Sequence, residues 1–179
     1  MDNMQVIAFV TERHAGQKYG ERDYVSTHLA EVASLVAVIA RGDADLETAA
    51  WLHDVVEDTP TTVDEVRGLF GDGVAALVWA VTSAQGRNRK ERNAATYPKI
   101  REAGSRAVML KLCDRISNVE ACWASKDAKL FMYQREYRDF RQALRREEDG
   151  PAVLALWKRL DNLLGWWEPS ESNKPSESR

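Results

Sequence analysis

Apolar positions along the chain recur at helical spacing, and sustained alternation with period two is nearly absent. This pattern predicts helices. Residues 3–18 form the first, ended near Gly20. Residues 26–41, STHLAEVASLVAVIAR, form the second, with Ser26 or Thr27 as N-cap and Gly42 just past its end. Residues 45–57 form a third, which Pro60 helps to stop because proline has no backbone N–H to continue the ladder. Thr62 and Glu65 have capping-box spacing and open a short helix that reaches Phe70. Gly71 and Gly73 then break the chain before VAALVWAVT. Residues 83–96, SAQGRNRKERNAAT, read as a loop or a frayed helix start, and three more helices follow at about 97–122, 127–147 and 151–165. No hairpin signal and no internal repeat is visible. The expected fold is all-α, a single helical-bundle domain over residues 1–167. The polar stretch 168–179, EPSESNKPSESR, is expected to be a disordered tail.

A length of 179 residues suits one core, and 44% hydrophobic with 30% charged residues is an ordinary globular balance. The net charge of −3 supplies no basic field, so no nucleic-acid partner is expected. No apolar run reaches the roughly 18 residues of a membrane span, and MDNMQVIAFVTERH lacks a basic segment followed by a long apolar one. The expectation is a cytoplasmic protein without a membrane partner. Cys113 and Cys122 share a helical stretch in which nine residues rise roughly 13 Å, too far for a disulfide, and are expected to be reduced core thiols.

Chemistry concentrates in residues 49–62, AAWLHDVVEDTPTT, where four ionisable side chains sit among Ala, Trp, Leu and Val. Unpaired buried charge costs several kcal/mol, so such groups are paired or coordinate a metal. On a helical wheel Glu57 falls next to His53, and Asp54 and then Asp58 follow round the same side. Leu52, Val55, Val56 and Ala49 take the opposite arc. AVMLKLCDRISNVEAC, residues 107–122, repeats the arrangement. Asn118 and Lys111 fall close beside Asp114 in one narrow stripe on an otherwise apolar helix. His28, in THLAEV, supplies a third helix. Imidazoles from His28 and His53 with carboxylates from Asp54 and Asp114 make a nitrogen and oxygen donor set suited to manganese, iron or zinc. Neighbouring ligands on one helix reach a common ion only if their rotamers diverge.

The pattern H…HD…D resembles the signature of the HD-domain metal-dependent phosphohydrolases. The flanking residues are similar to one branch, the hydrolase domain of RelA/SpoT-type enzymes and the free-standing small alarmone hydrolases. Those proteins carry patterns like LLHDTVEDT, TxxEIxxxFGxxVxxLVxxVT and KLADRLxN. This chain has WLHDVVEDTPTTVDEVRGLFGDGVAALVWAVT and KLCDRISN, and the likeness runs over roughly residues 5–125. The resemblance implies that His28, His53, Asp54 and Asp114 bind a divalent metal, typically manganese in this branch. It implies that Glu57 and Asp58 orient or deprotonate the attacking water, and that Asn118 and Lys111 contact a small nucleotide polyphosphate. The implied reaction removes the 3′-pyrophosphate of ppGpp.

The first family motif resembles HxGQxRKxGxPYxxHP, whereas residues 14–29 read HAGQKYGERDYVSTHL. Lys18 and Tyr19 stand where the Arg-Lys pair of the nucleotide pocket is expected, Asp23 replaces Pro, and Tyr24 lies one residue farther from His28. An aromatic face can stack on a base as an arginine does, without its fixed charge. Other HD nucleotide hydrolases (dNTP triphosphohydrolases, nucleotidases, NADPH phosphatases) and a non-catalytic nucleotide sensor are therefore alternatives. Lys111 reads equally as a substrate contact or a surface ion pair. His14 reads as a satisfied histidine or a contact near the site. Arg87, Arg89, Lys90 and Arg92 form either a solvated basic loop or a mobile phosphate clamp. Tyr133, Tyr137 and Phe140 read as core, and Trp157, Trp166 and Trp167 as closing the core or a subunit contact in a homo-oligomer.

Overall fold

The computed structural model describes residues 3–166, so Trp167 and the expected tail at 168–179 lie outside it. The described chain is all-α apart from one two-stranded ribbon. Helix α1 spans Asn3–Arg13, and the ribbon pairs β1 (Lys18–Tyr19) with β2 (Arg22–Asp23) in antiparallel register around Gly20, whose φ of +64° suits a residue without Cβ. The first helix thus ends five residues before the expected boundary. A π-helical turn, Val25–Leu29, then runs without interruption into α2 (Ala30–Ile39).

That π turn accommodates the extra residue between Tyr24 and His28. Its wider winding turns four residues through about 330°, close to the roughly 300° that three residues turn in an α-helix. The rings of Tyr24 and His28 consequently remain 5.4 Å apart. The cap is also not Ser26 or Thr27: Asp23 Oδ1 accepts from both the Ser26 N–H and its hydroxyl, each at 2.9 Å.

Helix α3 (Ala44–Leu52) is capped by Asp43, which accepts from Leu46 N. The expected 45–57 helix does not continue. His53 and Asp54 form a turn, with Asp54 at φ −103° and ψ −3°, and a short α4 (Val55–Asp58) restarts beyond it. Helix α5 (Val63–Phe70) begins at Thr62 as expected, and α6 (Asp72–Val81) follows across Gly71.

Asn88 caps α7 (Arg89–Ala103) by accepting from Glu91 N, so of residues 83–96, expected as a loop or a frayed helix start, those from Arg89 on are helix. Pro98 inside α7 cannot donate to the carbonyl four residues back, yet packing retains the helix. Gly104, at φ +91°, separates α7 from α8 (Ser105–Ser125), so the expected 97–122 helix is two helices. Helices α9 (Lys129–Leu144) and α10 (Pro151–Leu164) complete the described chain.

Helix α8 runs through the middle, packed against α2, α3, α6, α7, α9 and α10. Val108, Leu110, Leu112, Cys113, Ile116 and Val119 are fully buried on it. Burying a Leu, Ile or Val side chain contributes about 1.5–3 kcal/mol, so this helix anchors the fold and fixes the position of Asp114 within it. Both cysteines are free and buried, as expected. Tyr133, Tyr137 and Phe140 lie in the core. Trp157 is buried and donates to Asp149, and Trp166 packs edge-on against Tyr137. These tryptophans close the core.

Candidate metal centre and active site

Four side chains from three parts of the chain meet between α2, α3 and α8. His28 Nε2 and His53 Nε2 face each other at 3.3 Å. Asp54 Oδ2 lies 3.0 Å from His53 Nε2 and 3.5 Å from His28 Nε2, and Asp114 Oδ1 lies 3.5 Å from His28 Nε2 and 3.9 Å from His53 Nε2. Ligands bonded at about 2.1 Å to one ion sit about 3.0 Å apart at octahedral right angles and about 3.4 Å apart at tetrahedral angles. The observed spacings fall on and just outside those values. Two neutral imidazoles and two carboxylates fit a borderline or hard divalent cation.

The interruption at His53–Asp54 is what lets adjacent residues converge. On a continuous helix their side chains diverge by about 100°. With Asp54 out of the helix, its carboxylate folds back onto the His53 imidazole. The wheel drawn through residue 57 therefore does not describe the site; a helix break replaces the diverging rotamers.

Both imidazoles are oriented from behind. His53 Nδ1 donates to Ala50 O at 2.8 Å. His28 Nδ1 donates to Ser117 Oγ at 3.0 Å, and that hydroxyl donates onward to Glu31 at 2.9 Å. Each Nε2 is thereby left as the ligand atom, the usual arrangement behind a metal-bound histidine. Tyr24 donates its hydroxyl to Asp54 Oδ2; burial first, then the Asp54 charge, pushes that phenol's pKa far up, so it remains a donor. Tyr24, Ser117 and Glu31 were not singled out as site residues from sequence, because their parts depend on packing between distant segments.

Asp114 shares its oxygens. Lys111 Nζ lies 2.8 Å from Oδ2, while Asn118 Nδ2 donates to Oδ1 at 2.5 Å. Lys111 is 16% exposed, so its ion pair is largely shielded from solvent and not a fully exposed surface pair. Tyr19 stacks on His28 at 4.9 Å between ring centroids, with 16° between planes, and donates to Asn118 Oδ1 at 3.1 Å. Asn118 is thus held between Tyr19 and Asp114. Beyond Tyr19 opens a cleft of about 570 Å³ whose walls include Lys18, Arg22, Asn118, Lys129 and Tyr133.

Glu57 and Asp58 are not among the four converging groups. Both are exposed on α4, one turn past Asp54. Glu57 Oε2 accepts from Ser83 N at 2.8 Å, and the carbonyl of that same Thr82–Ser83 peptide accepts from Lys99 Nζ at 2.6 Å. Lys99 in turn lies over the Trp79 ring at 4.1 Å. Asp58 accepts from Gln17. Lys18 is exposed on the ribbon at the cleft. Of the basic segment, Arg87 pairs with Glu91 at 2.8 Å and Arg89 with Glu136 at 2.7 Å, so these two cations are engaged within the protein.

Burial works against charge on His28, but hydrogen bonds to Asp114 and Asp54 outweigh it and raise its pKa to about 9. His53 is raised as well, burial opposing and Asp54 favouring its charge. Burial alone would raise Asp54 and Asp114; the imidazoles for Asp54, and Lys111 with the imidazoles for Asp114, hold both carboxyls below their usual range. Without a cation, protons on the imidazoles therefore balance the two carboxylates. The stabilisation that comes from the raised His28 pKa is complete below about 6.5 and is lost as pH rises through about 9. Divalent metal must displace these protons, so its affinity is expected to rise as pH increases from 6.5 to 9. Calorimetry in buffers of different ionisation enthalpy checks this: proton release on binding should be larger at pH 7 than at pH 9.5.

Residues 7–147 match the HD domain family. The chain belongs to the HD-domain family. Among relatives of this HD domain, the guanosine-3′,5′-bis(diphosphate) 3′-pyrophosphohydrolase of Aquifex aeolicus (strain VF5) is 31% identical over 161 residues, 88% of this chain but 22% of that protein. The Drosophila melanogaster guanosine-3′,5′-bis(diphosphate) 3′-pyrophosphohydrolase MESH1 is 32% identical over 120 residues, 66% of each chain. The chain thus spans about a fifth of the length of the Aquifex relative and just under two thirds of the Drosophila one. The solved structure of a metazoan orthologue of SpoT that hydrolyses ppGpp superimposes with a TM-score of 0.73 at 25% identity, covering 92% of this chain and 96% of that one. The HD domain is all-α, as expected, and no described helix is long and apolar enough to cross a membrane.

Proposed function

We propose that this HD domain is a metal-dependent pyrophosphohydrolase that removes the 3′-pyrophosphate of ppGpp-type nucleotides in the cytoplasm. The observation that carries the reading is the convergence of His28, His53 and Asp114 within 3.9 Å of one another, with Asp54 Oδ2 at 3.0 and 3.5 Å from the two imidazoles, beside a cleft of nucleotide size. These four residues would hold the cation, with manganese as the expected metal. A bound divalent ion lowers the pKa of coordinated water and neutralises phosphate oxygens.

The chain's own groups divide the remaining work. Glu57, exposed and held by the Ser83 N–H through one carboxylate oxygen, keeps the other oxygen free to accept a proton. Asp58 beside it orients the attacking water. Lys111 and Asn118 fix Asp114 from both sides and present polar edges toward the substrate. Lys18, Arg22 and Lys129 line the cleft where phosphates of the nucleotide would lie. Support for guanosine tetraphosphate comes from what the relatives are named to hydrolyse; the free, buried cysteines are in keeping with a reducing compartment.

One observation favours a second reading, hydrolysis of another nucleotide. Tyr19 lies against His28 and Asn118 where an arginine would reach for a base, so base selection need not follow guanosine. Purified protein with manganese against ppGpp, dNTPs and NADPH separates the readings. Pyrophosphate released from ppGpp supports the first; phosphate from NADPH or triphosphate from a dNTP, with ppGpp untouched, supports the second.

A further inference from the structure

Asp58 is tied to residues 41 and 44 positions earlier in the chain. Gln17 Nε2 donates to Asp58 Oδ2 at 2.7 Å. The other end of the same amide, Oε1, lies 2.7 Å from His14 Nδ1. A carboxylate takes only donors, so the Gln17 NH₂ faces Asp58, its carbonyl faces His14, and the His14 proton sits on Nδ1. The backbone fixes both residues. Gln17 N donates to His14 O at 2.9 Å, Tyr24 N donates to Gln17 O at 3.2 Å, and Gly16 completes the tight turn at φ +80°.

His14 is 2% exposed, and its ring rests against Tyr24 at 5.2 Å. Among the described residues nothing hydrogen-bonds its Nε2. A buried acceptor without a partner is destabilising, a cost that a phenylalanine or leucine in the same space would avoid. Among the described residues the polar return on that cost is the Nδ1 contact with Gln17. Packing alone therefore does not account for an imidazole here.

We propose that His14 and Gln17 are a positioning pair for Asp58: the buried imidazole fixes the amide, and the amide holds the carboxylate in one orientation at the mouth of the site. The inference rests on the hydrolytic role proposed for Asp58. Among the described residues neither side chain hydrogen-bonds the four candidate metal-site side chains; both adjoin Tyr24, which donates to Asp54, so metal content is followed alongside turnover.

The test is a cycle of Gln17→Ala, Asp58→Asn and the double variant, with His14→Phe to retain the ring against Tyr24. Turnover of ppGpp with manganese is measured alongside metal content. Loss of one orienting contact costs about 10-fold or more in comparable sites, so Gln17→Ala should lower kcat about tenfold with KM nearly unchanged. In the Asp58→Asn background the same change should have no further effect, and His14→Phe should add nothing to Gln17→Ala. A loss that multiplies with Asp58→Asn, an effect on KM alone, or native kcat in Gln17→Ala overturns the proposal. Imidazole ¹⁵N spectra supply a readout free of substrate. Wild type should show His14 as the Nδ1–H tautomer, and Gln17→Ala should shift it toward a tautomer mixture; an unchanged spectrum counts against the pair. If wild type hydrolyses none of the nucleotides, the proposed function fails, and the spectra still decide whether His14 and Gln17 are coupled.

Discussion

Asp114→Ala is expected to lose metal and activity together and to destabilise the protein in addition. Removing one of the four proposed ligands should take away several kcal/mol of charge stabilisation at the reacting phosphate, and each 1.4 kcal/mol is tenfold, so turnover should fall by about 10³-fold or more. The stability loss has a separate cause. Lys111, 16% exposed, is left without its carboxylate; a fully buried charge stripped of its partner costs about 3–5 kcal/mol, and this largely shielded one should cost somewhat less. For a chain of this size that corresponds to a fall in Tm of roughly 10 °C. The double variant Asp114→Ala with Lys111→Met should regain most of the Tm and none of the metal. Asp54→Ala, which strands no lysine, should lose metal with a smaller fall in Tm. Differential scanning calorimetry and metal analysis on these variants check the separation. Equal Tm losses in Asp54→Ala and Asp114→Ala would count against the Lys111 account.

Glu57→Gln is expected to do the opposite: keep the metal and lose turnover. The glutamine carbonyl can still accept from Ser83 N, so the backbone arrangement around Thr82 and Ser83 persists. What disappears is a group able to take a proton, and general-base contributions are about 10²–10⁴-fold. Manganese content should match wild type while kcat falls within that range. Near-native turnover would remove Glu57 from the reaction and leave Asp58 as the proton acceptor.

The helical class and the grouping of most candidate site residues are legible in the sequence because both follow short-range rules. Apolar spacing marked the helices, and the Asp114–Asn118–Lys111 stripe announced a polar partner facing an otherwise buried helix. The failures lie where chain geometry is decided by tertiary contacts. A wheel through residues 53–58 assumes a continuous helix, but the approach of His53 and Asp54 to His28 and Asp114 is favoured by a turn there. The helix start at Arg89 was obscured by a charged, weakly apolar sequence, and its cap, Asn88, reveals itself only through the bond to Glu91. Asp23 as cap and the π turn at Val25–Leu29 are consequences of one added residue, whose accommodation no local propensity specifies. Lys99 carries no signal by type or spacing, and Gln17 matches the first motif without revealing its partner; their relation to Glu57 and Asp58 exists only once segments far apart in sequence are packed.

Tyr19 illustrates the same limit at a single side chain. Its position in the first motif suggested a surface for a base. In the fold its ring covers His28 and its hydroxyl fixes Asn118, which ties it to the candidate metal centre as well as to the cleft.

Anomalous diffraction from crystals grown with manganese tests the central claim most directly. A single peak is expected within about 2.3 Å of His28 Nε2, His53 Nε2 and one carboxylate oxygen each of Asp54 and Asp114, and the peak should vanish in Asp114→Ala crystals. A peak at any other position in wild type, or none with manganese in excess, would contradict the assignment of these four residues to one cation.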